Sequence, residues 1–203
     1  MPRLTTASPL RIALLLLLGL FALDYVWVQT HPGGSRMWPN RHSGMRSGGN
    51  ACPDPSSMNA AQQDERATLG EREYGWKLRS LDGREATFGE YRGKVVFVNV
   101  WATWCGPCVA EMPGIQALYD AVEQEGAAFV LVSEEKEGTV KSFVEQARYS
   151  FPVFTTGQIP EVFETRGIPA TFIVNRQGAI VYKHLGSADW NTDSCRKLLR
   201  ALL

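Results

Sequence analysis

One junction limits what this chain can fold into more than any other feature. Val95-Val96-Phe97-Val98-Asn99-Val100-Trp101 runs almost directly into Trp104-Cys105-Gly106-Pro107-Cys108. The first stretch is nearly all β-branched or aromatic, the pattern of a strand covered on both faces. The second opens a helical stretch from about Cys105 to Glu125, with a break or kink expected at Pro113, whose ring removes a backbone donor. Two cysteines three apart on the first turn of a helix share a face, so their sulfurs can join or part without moving the fold. Unpaired amides and the positive end of the helix dipole face the first sulfur and favour its thiolate. Cys105 therefore reads as a nucleophile and Cys108, deeper in the helix, as its resolving partner. Gly106 and Pro107 fill the opening turn, which has no intrahelical bond for a proline to lose.

Other uses of the cysteines fit less well. Structural zinc calls for four ligands, yet the remaining cysteines are Cys52 and Cys195, and His31 and His42 lie far upstream in a Gly/Pro-rich stretch. No metal site is expected. A Cys-His hydrolase would need a positioned base, for which His184 is the one candidate in the globular part. Soft Cu(I) ligation by Cys105 and Cys108 is the alternative from another class, weakened by the lack of a third ligand other than His184. A disulfide across one helical turn constrains little of the unfolded chain, so stability alone does not explain the pair. Cys195 lies on the apolar stripe of the last helix and reads as buried filler. Cys52 lacks a lipid-attachment context, and a Cys52–Cys195 bridge stays open.

The 203 residues divide into unlike parts. Residues 1-29 read as a signal anchor or signal peptide: Arg3 and Arg11 precede an apolar run from Ile12 to Leu23, resumed at Tyr25 to Val28. As a helix, Ile12 to Val28 spans roughly 26 Å, a little short of a hydrocarbon core of about 30 Å. Residues 30-73 read as a Gly/Pro/Ser-rich tether, with Asp64 to Glu73 open between linker and short helix. Residues 74-203 carry globular texture. The equal totals of 21 basic and 21 acidic side chains hide this division: five against two through Gln63, sixteen against nineteen after it. Nothing in that balance calls for a nucleic-acid partner.

Within the globular part, Trp76 to Leu81, a turn at Asp82-Gly83 and Arg84 to Phe88 predict a hairpin. Strands are expected at Ala127 to Val132, Pro152 to Thr155, Ala170 to Val174 and Ala179 to Leu185. Helical pieces are expected at Thr139 to Tyr149, at Pro160 to Arg166 and after an N-cap at Thr192. The class is α/β, with a βαβ unit carrying the cysteines.

Val98 to Cys108, together with Gly167-Ile168-Pro169-Ala170-Thr171-Phe172 about sixty residues later, resembles the thioredoxin superfamily, and within it the membrane-anchored TlpA/ResA-type thiol-disulfide oxidoreductases. The resemblance covers about Tyr74 to the C-terminus. It implies a thioredoxin fold, a central mixed sheet flanked by helices, with an N-terminal β-hairpin and a central insertion at about Ser133 to Gln158. It implies a redox-active Cys105–Cys108 disulfide with no further cofactor, and a cis Pro169 lying against it. A substrate chain would be received by Trp104, Gly106, Pro107, Ile168 and Pro169. Partners would be proteins bearing disulfides or dithiols and a membrane electron donor. The place would be the outer face of a bacterial cytoplasmic membrane, and the task reduction of cysteine pairs, as in cytochrome c maturation or copper-site assembly. Glu111 matches an acidic residue of ResA-like proteins that takes part in thiol proton chemistry; the plain alternative is a solvated helix carboxylate. Asn99 stands where cytoplasmic thioredoxins carry a buried aspartate, and an amide cannot do that aspartate's work as a base.

Overall fold

Alternate residues of the central strand face two different cores. In β3 (Val96–Val100) all five side chains are buried: Val96, Val98 and Val100 pack into one cluster and Phe97 into the other. That is the doubly covered strand predicted from its composition. The computed structural model describes Cys52, Pro53 and residues 67–203. Residues 1-29 and most of the tether lie outside the described residues.

The fold takes up the chain ahead of Tyr74. Thr68 bridges Ala179, Leu69 is buried, and a one-turn helix α1 spans Glu71–Tyr74. The segment that sequence left between linker and helix is thus partly helical and docked. The predicted hairpin follows as β1 (Lys77–Ser80) and β2 (Glu85–Thr87), paired antiparallel with Leu78 opposite Ala86.

Helix α2 (Gly106–Val122) links β3 to β4 (Ala128–Ser133), and the two strands pair in parallel. The βαβ unit is as expected. The break anticipated at Pro113 does not occur: the helix continues through it. Tertiary burial of Met112, Ile115, Leu118 and Val122 holds the flanking turns in place.

Helix α3 (Glu137–Ala147) and strand β5 (Val153–Thr155) make up the central insertion. Strand β5 adds in parallel to β4 on one side and pairs antiparallel with β1 on the other. The inserted strand is therefore what joins the hairpin to the sheet. Of the helical stretch expected at Pro160 to Arg166, a 3-10 turn at Glu161–Phe163 forms.

Antiparallel strands β6 (Ala170–Val174) and β7 (Ile180–Leu185) complete a seven-stranded mixed sheet of order β2-β1-β5-β4-β3-β6-β7. Helix α4 (Asp193–Leu202) closes the described chain, and its N-cap Thr192 accepts from the Cys195 amide at 3.3 Å. Helices α2 and α4 pack together over one face around Phe97, Phe129 and Trp190. Trp76, Phe88, Phe163 and Phe172 form an aromatic layer in the other cluster. This is the thioredoxin fold the motifs implied.

The two cysteines outside the motif are joined. Cys52 and Cys195 form a disulfide across a sequence separation of 143, and both are buried in the helical layer. Cys195 is thus a cross-link in place of the inert filler its apolar stripe suggested. Spacing could not reveal the pairing, because Cys52 sits in sequence with no periodicity to place it.

Candidate active site

The cysteine pair sits where the helix begins, with Cys105 five residues beyond the end of β3 at Val100. Cys105 is the N-cap residue of α2, in extended backbone, and its sulfur accepts from the Cys108 amide at 3.2 Å. An N-cap position aims the side chain at free amides of the first turn, and the helix dipole adds positive potential there. In the structure Cys105 and Cys108 are disulfide-bonded. Cys105 is 5% exposed and Cys108 has no exposed surface. Of the two sulfurs, Cys105 is the one a partner can reach.

Strand pairing explains why residues some sixty positions downstream meet this pair. Ala170 at the start of β6 lies opposite Val100 at the end of β3. The residues just before β6 must therefore pass beside the start of α2. The Ile168 carbonyl oxygen lies 3.7 Å from Cys105 Sγ, and the Ile168–Pro169 peptide bond is cis. Trp104, 75% exposed, is one of two large exposed apolar side chains among the described residues. Trp101 is buried against Phe143 of the insertion, with ring centroids 5.4 Å apart. Gly106 and Pro107 form the first turn between the two sulfurs.

Glu111 is not a solvated carboxylate. It is 3% exposed on the inner face of α2. Asn99 Nδ2 donates to its Oε1 at 2.9 Å. The Ala188 amide and Trp190 Nε1 donate to its Oε2 at 3.1 and 2.9 Å. Burial pushes the carboxyl above the ordinary carboxylate range, and the hydrogen bonds from Trp190, Asn99 and Ala188 pull the other way. Asn99 also donates to Thr171 Oγ1 at 2.9 Å, so residues of β3, α2, β6 and the β7–α4 loop meet around one carboxyl. Asn99 and Glu111, read separately in sequence, are directly bonded.

Two contributors carry no sequence signal. Trp190 lies 79 residues from Glu111, and its indole is wedged edge-on between Phe97 and His184. Glu135, in the loop after β4, holds the turn that precedes the nucleophile: the Thr103 amide donates to its Oε2 and the Thr103 hydroxyl to its Oε1, both at 2.7 Å. The Ser133 hydroxyl donates to Oε2 at 3.1 Å. In sequence, Glu134-Glu135 reads as an ordinary charged loop. His184 pairs in register with Thr171, and burial lowers its pKa.

A buried cysteine pair at a helix N-terminus, disulfide-bonded and next to a cis-proline loop on a mixed sheet, defines a thiol-disulfide oxidoreductase of thioredoxin fold. Residues 70–183 match the AhpC/TSA family, more than half of the chain, and the chain belongs to that family. It is similar to the thiol-disulfide oxidoreductase ResA of Halalkalibacterium halodurans, 34% identical over 123 residues that cover 59% of this chain and 70% of that relative. ResA of Bacillus anthracis is 32% identical over 127 residues, covering 60% and 72%. Among solved structures, a Chlorobium tepidum chain described as a thiol:disulfide interchange protein DsbE matches with TM-score 0.56 and 25% identity, over 63% of this chain and 92% of that one.

Proposed function

We propose that this oxidoreductase works outside the cytoplasm, tethered to the membrane by residues 1-29, and reduces cysteine pairs of partner proteins such as apocytochrome c or copper-site proteins. The observation that supports the location is the Cys52–Cys195 disulfide, buried and separate from the Cys105–Cys108 pair. A long-range structural disulfide of this kind belongs to an oxidising compartment. Among the described residues no helix is long and apolar enough to cross a membrane; the proposed anchor lies outside them.

The N-cap position of Cys105 and the burial of Glu111 on the same helix support a dithiol-disulfide exchange. Cys105 as thiolate attacks a partner disulfide, forming a mixed disulfide and releasing one partner thiolate. Glu111 takes the proton of Cys108, whose thiolate then attacks Cys105 Sγ and expels the second partner sulfur. The partner gains two electrons, the Cys105–Cys108 disulfide forms, and the two released thiolates are protonated, one by the proton that Glu111 took from Cys108 and one by water. The thiols themselves carry the electrons, and a membrane donor of dithiol electrons restores them. Trp104, Gly106, Pro107, Ile168 and Pro169 receive the partner chain beside Cys105.

The experiment has two arms. The reduced full-length protein is mixed with an oxidised C-x-x-C-H peptide, and peptide thiols are counted. In cells, the protein is sought in alkali-washed membranes and in protease-accessible form from the outer side. Stoichiometric peptide reduction with membrane retention supports the reading. A protein recovered in the soluble cytoplasmic fraction, or a peptide left oxidised, contradicts it.

A further inference from the structure

Among the described residues, the carboxyl of Glu111 is hydrogen-bonded by donors alone. The Ala188 amide and the Trp190 indole can only donate, and both are fixed on Oε2. A proton on Glu111 therefore belongs on Oε1, whose partner is the Asn99 amide. That amide is itself half used. Its Nδ2 donates to Glu111 and to Thr171, while its Oδ1 is buried with no hydrogen-bond partner among the described residues. A buried carbonyl oxygen left unpaired is costly and calls for an explanation.

We propose that Asn99 is a positioning residue that turns over when Glu111 gains a proton. Rotation of its side-chain amide by half a turn exchanges Nδ2 and Oδ1. With Glu111 ionised, Nδ2 faces Oε1 and Thr171 Oγ1, as seen. With Glu111 protonated, Oδ1 takes that place, Glu111 Oε1–H donates to it, and the Thr171 hydroxyl reverses to donate as well. One end of the amide is left over in either state, so the array can serve both protonation states of a buried carboxyl. Asparagine at position 99 thereby acts on the proton by changing partner, where an aspartate would bind it.

The groups that face this array are few. Cys108 shares the inner face of α2, Thr171 comes from β6, Ala188 and Trp190 come from the β7–α4 loop, and His184 of β7 lies edge-on to the Trp190 ring at 5.6 Å. Among the described residues no lysine or arginine bonds Glu111. The inference rests on Glu111 acting as the proton acceptor for Cys108, and its test separates the two.

The experiment is a pH titration of the reduced full-length protein in detergent micelles, with carbon-labelled glutamate and nitrogen-labelled asparagine side chains, followed by nuclear magnetic resonance. The expected result is that the two Asn99 amide protons shift with the same midpoint as the Glu111 carboxyl carbon, the hydrogen-bonded proton moving upfield as Glu111 protonates. In Asn99→Leu, which has neither donor nor acceptor, the Glu111 midpoint moves upward. A Glu111 carbon that titrates while the Asn99 amide stays unchanged overturns the inference. The base reading fails separately: if Glu111→Gln leaves the pH profile of Cys108 alkylation unaltered while the wild-type amide still turns, Asn99 responds to a carboxyl that does not serve the thiol.

Discussion

The Cys52–Cys195 bond offers a perturbation whose size can be worked out from connectivity. Its ends are separated by 143 residues, and closing a loop of that length removes about 5 kcal/mol of unfolded-state entropy at 25 °C in the chain-entropy account. The same relation gives the Cys105–Cys108 bond, with separation 3, about 2 kcal/mol. The long-range bond is thus the staple, and the short one is free to open without unfolding the chain. Cys52→Ala, Cys195→Ala and the double variant, unfolded in urea without reductant, separate cross-linking from packing. If the bond dominates, each single variant loses about 3 to 5 kcal/mol and the double loses no more, because either substitution already breaks the bond. Losses that add between the two sites, or a double variant within about 1 kcal/mol of wild type, would refute the reasoning.

Three further outcomes are expected. Burial raises the folded-state pKa of Glu111 above its unfolded value, so the folded chain binds more protons in the window between the two and stability falls as pH rises through it. Glu111→Gln flattens that slope, read as the urea midpoint against pH, and an unchanged slope contradicts the assignment. Glu135→Ala removes the charged acceptor of the Thr103 amide and hydroxyl and should cost about 1.5 to 3 kcal/mol. It should also slow reduction of a small aromatic disulfide by loosening the turn before Cys105, and a variant as stable and as fast as wild type rules out the clamp.

Local signals in the sequence led to the dithiol, the covered central strand, the βαβ unit, the hairpin and the N-cap at Thr192. Each rests on neighbours along the chain: an i, i+3 pair, a β-branched run, a turn at Asp82-Gly83. The Ile168–Pro169 loop could be placed beside Cys105 only through resemblance, since it depends on the register that sets Ala170 opposite Val100. What stayed hidden is long-range and polar. Nothing near Trp190 in sequence points to Glu111, nothing near Glu135 points to Thr103, and Cys52 lies in a stretch with no pattern. Pro113 shows the opposite failure: a correct local rule for breaking helices was outweighed by the burial of α2 on both sides of it.

The central claim, that Cys105 attacks and Cys108 resolves, is tested most directly by trapping. The full-length Cys108→Ser variant, reduced and mixed with an oxidised dithiol protein, should accumulate a covalent mixed disulfide through Cys105, cleaved by reductant and absent when Cys105 is also changed to serine. Accumulation of the adduct through Cys108 in a Cys105→Ser variant, with none through Cys105, would contradict the account.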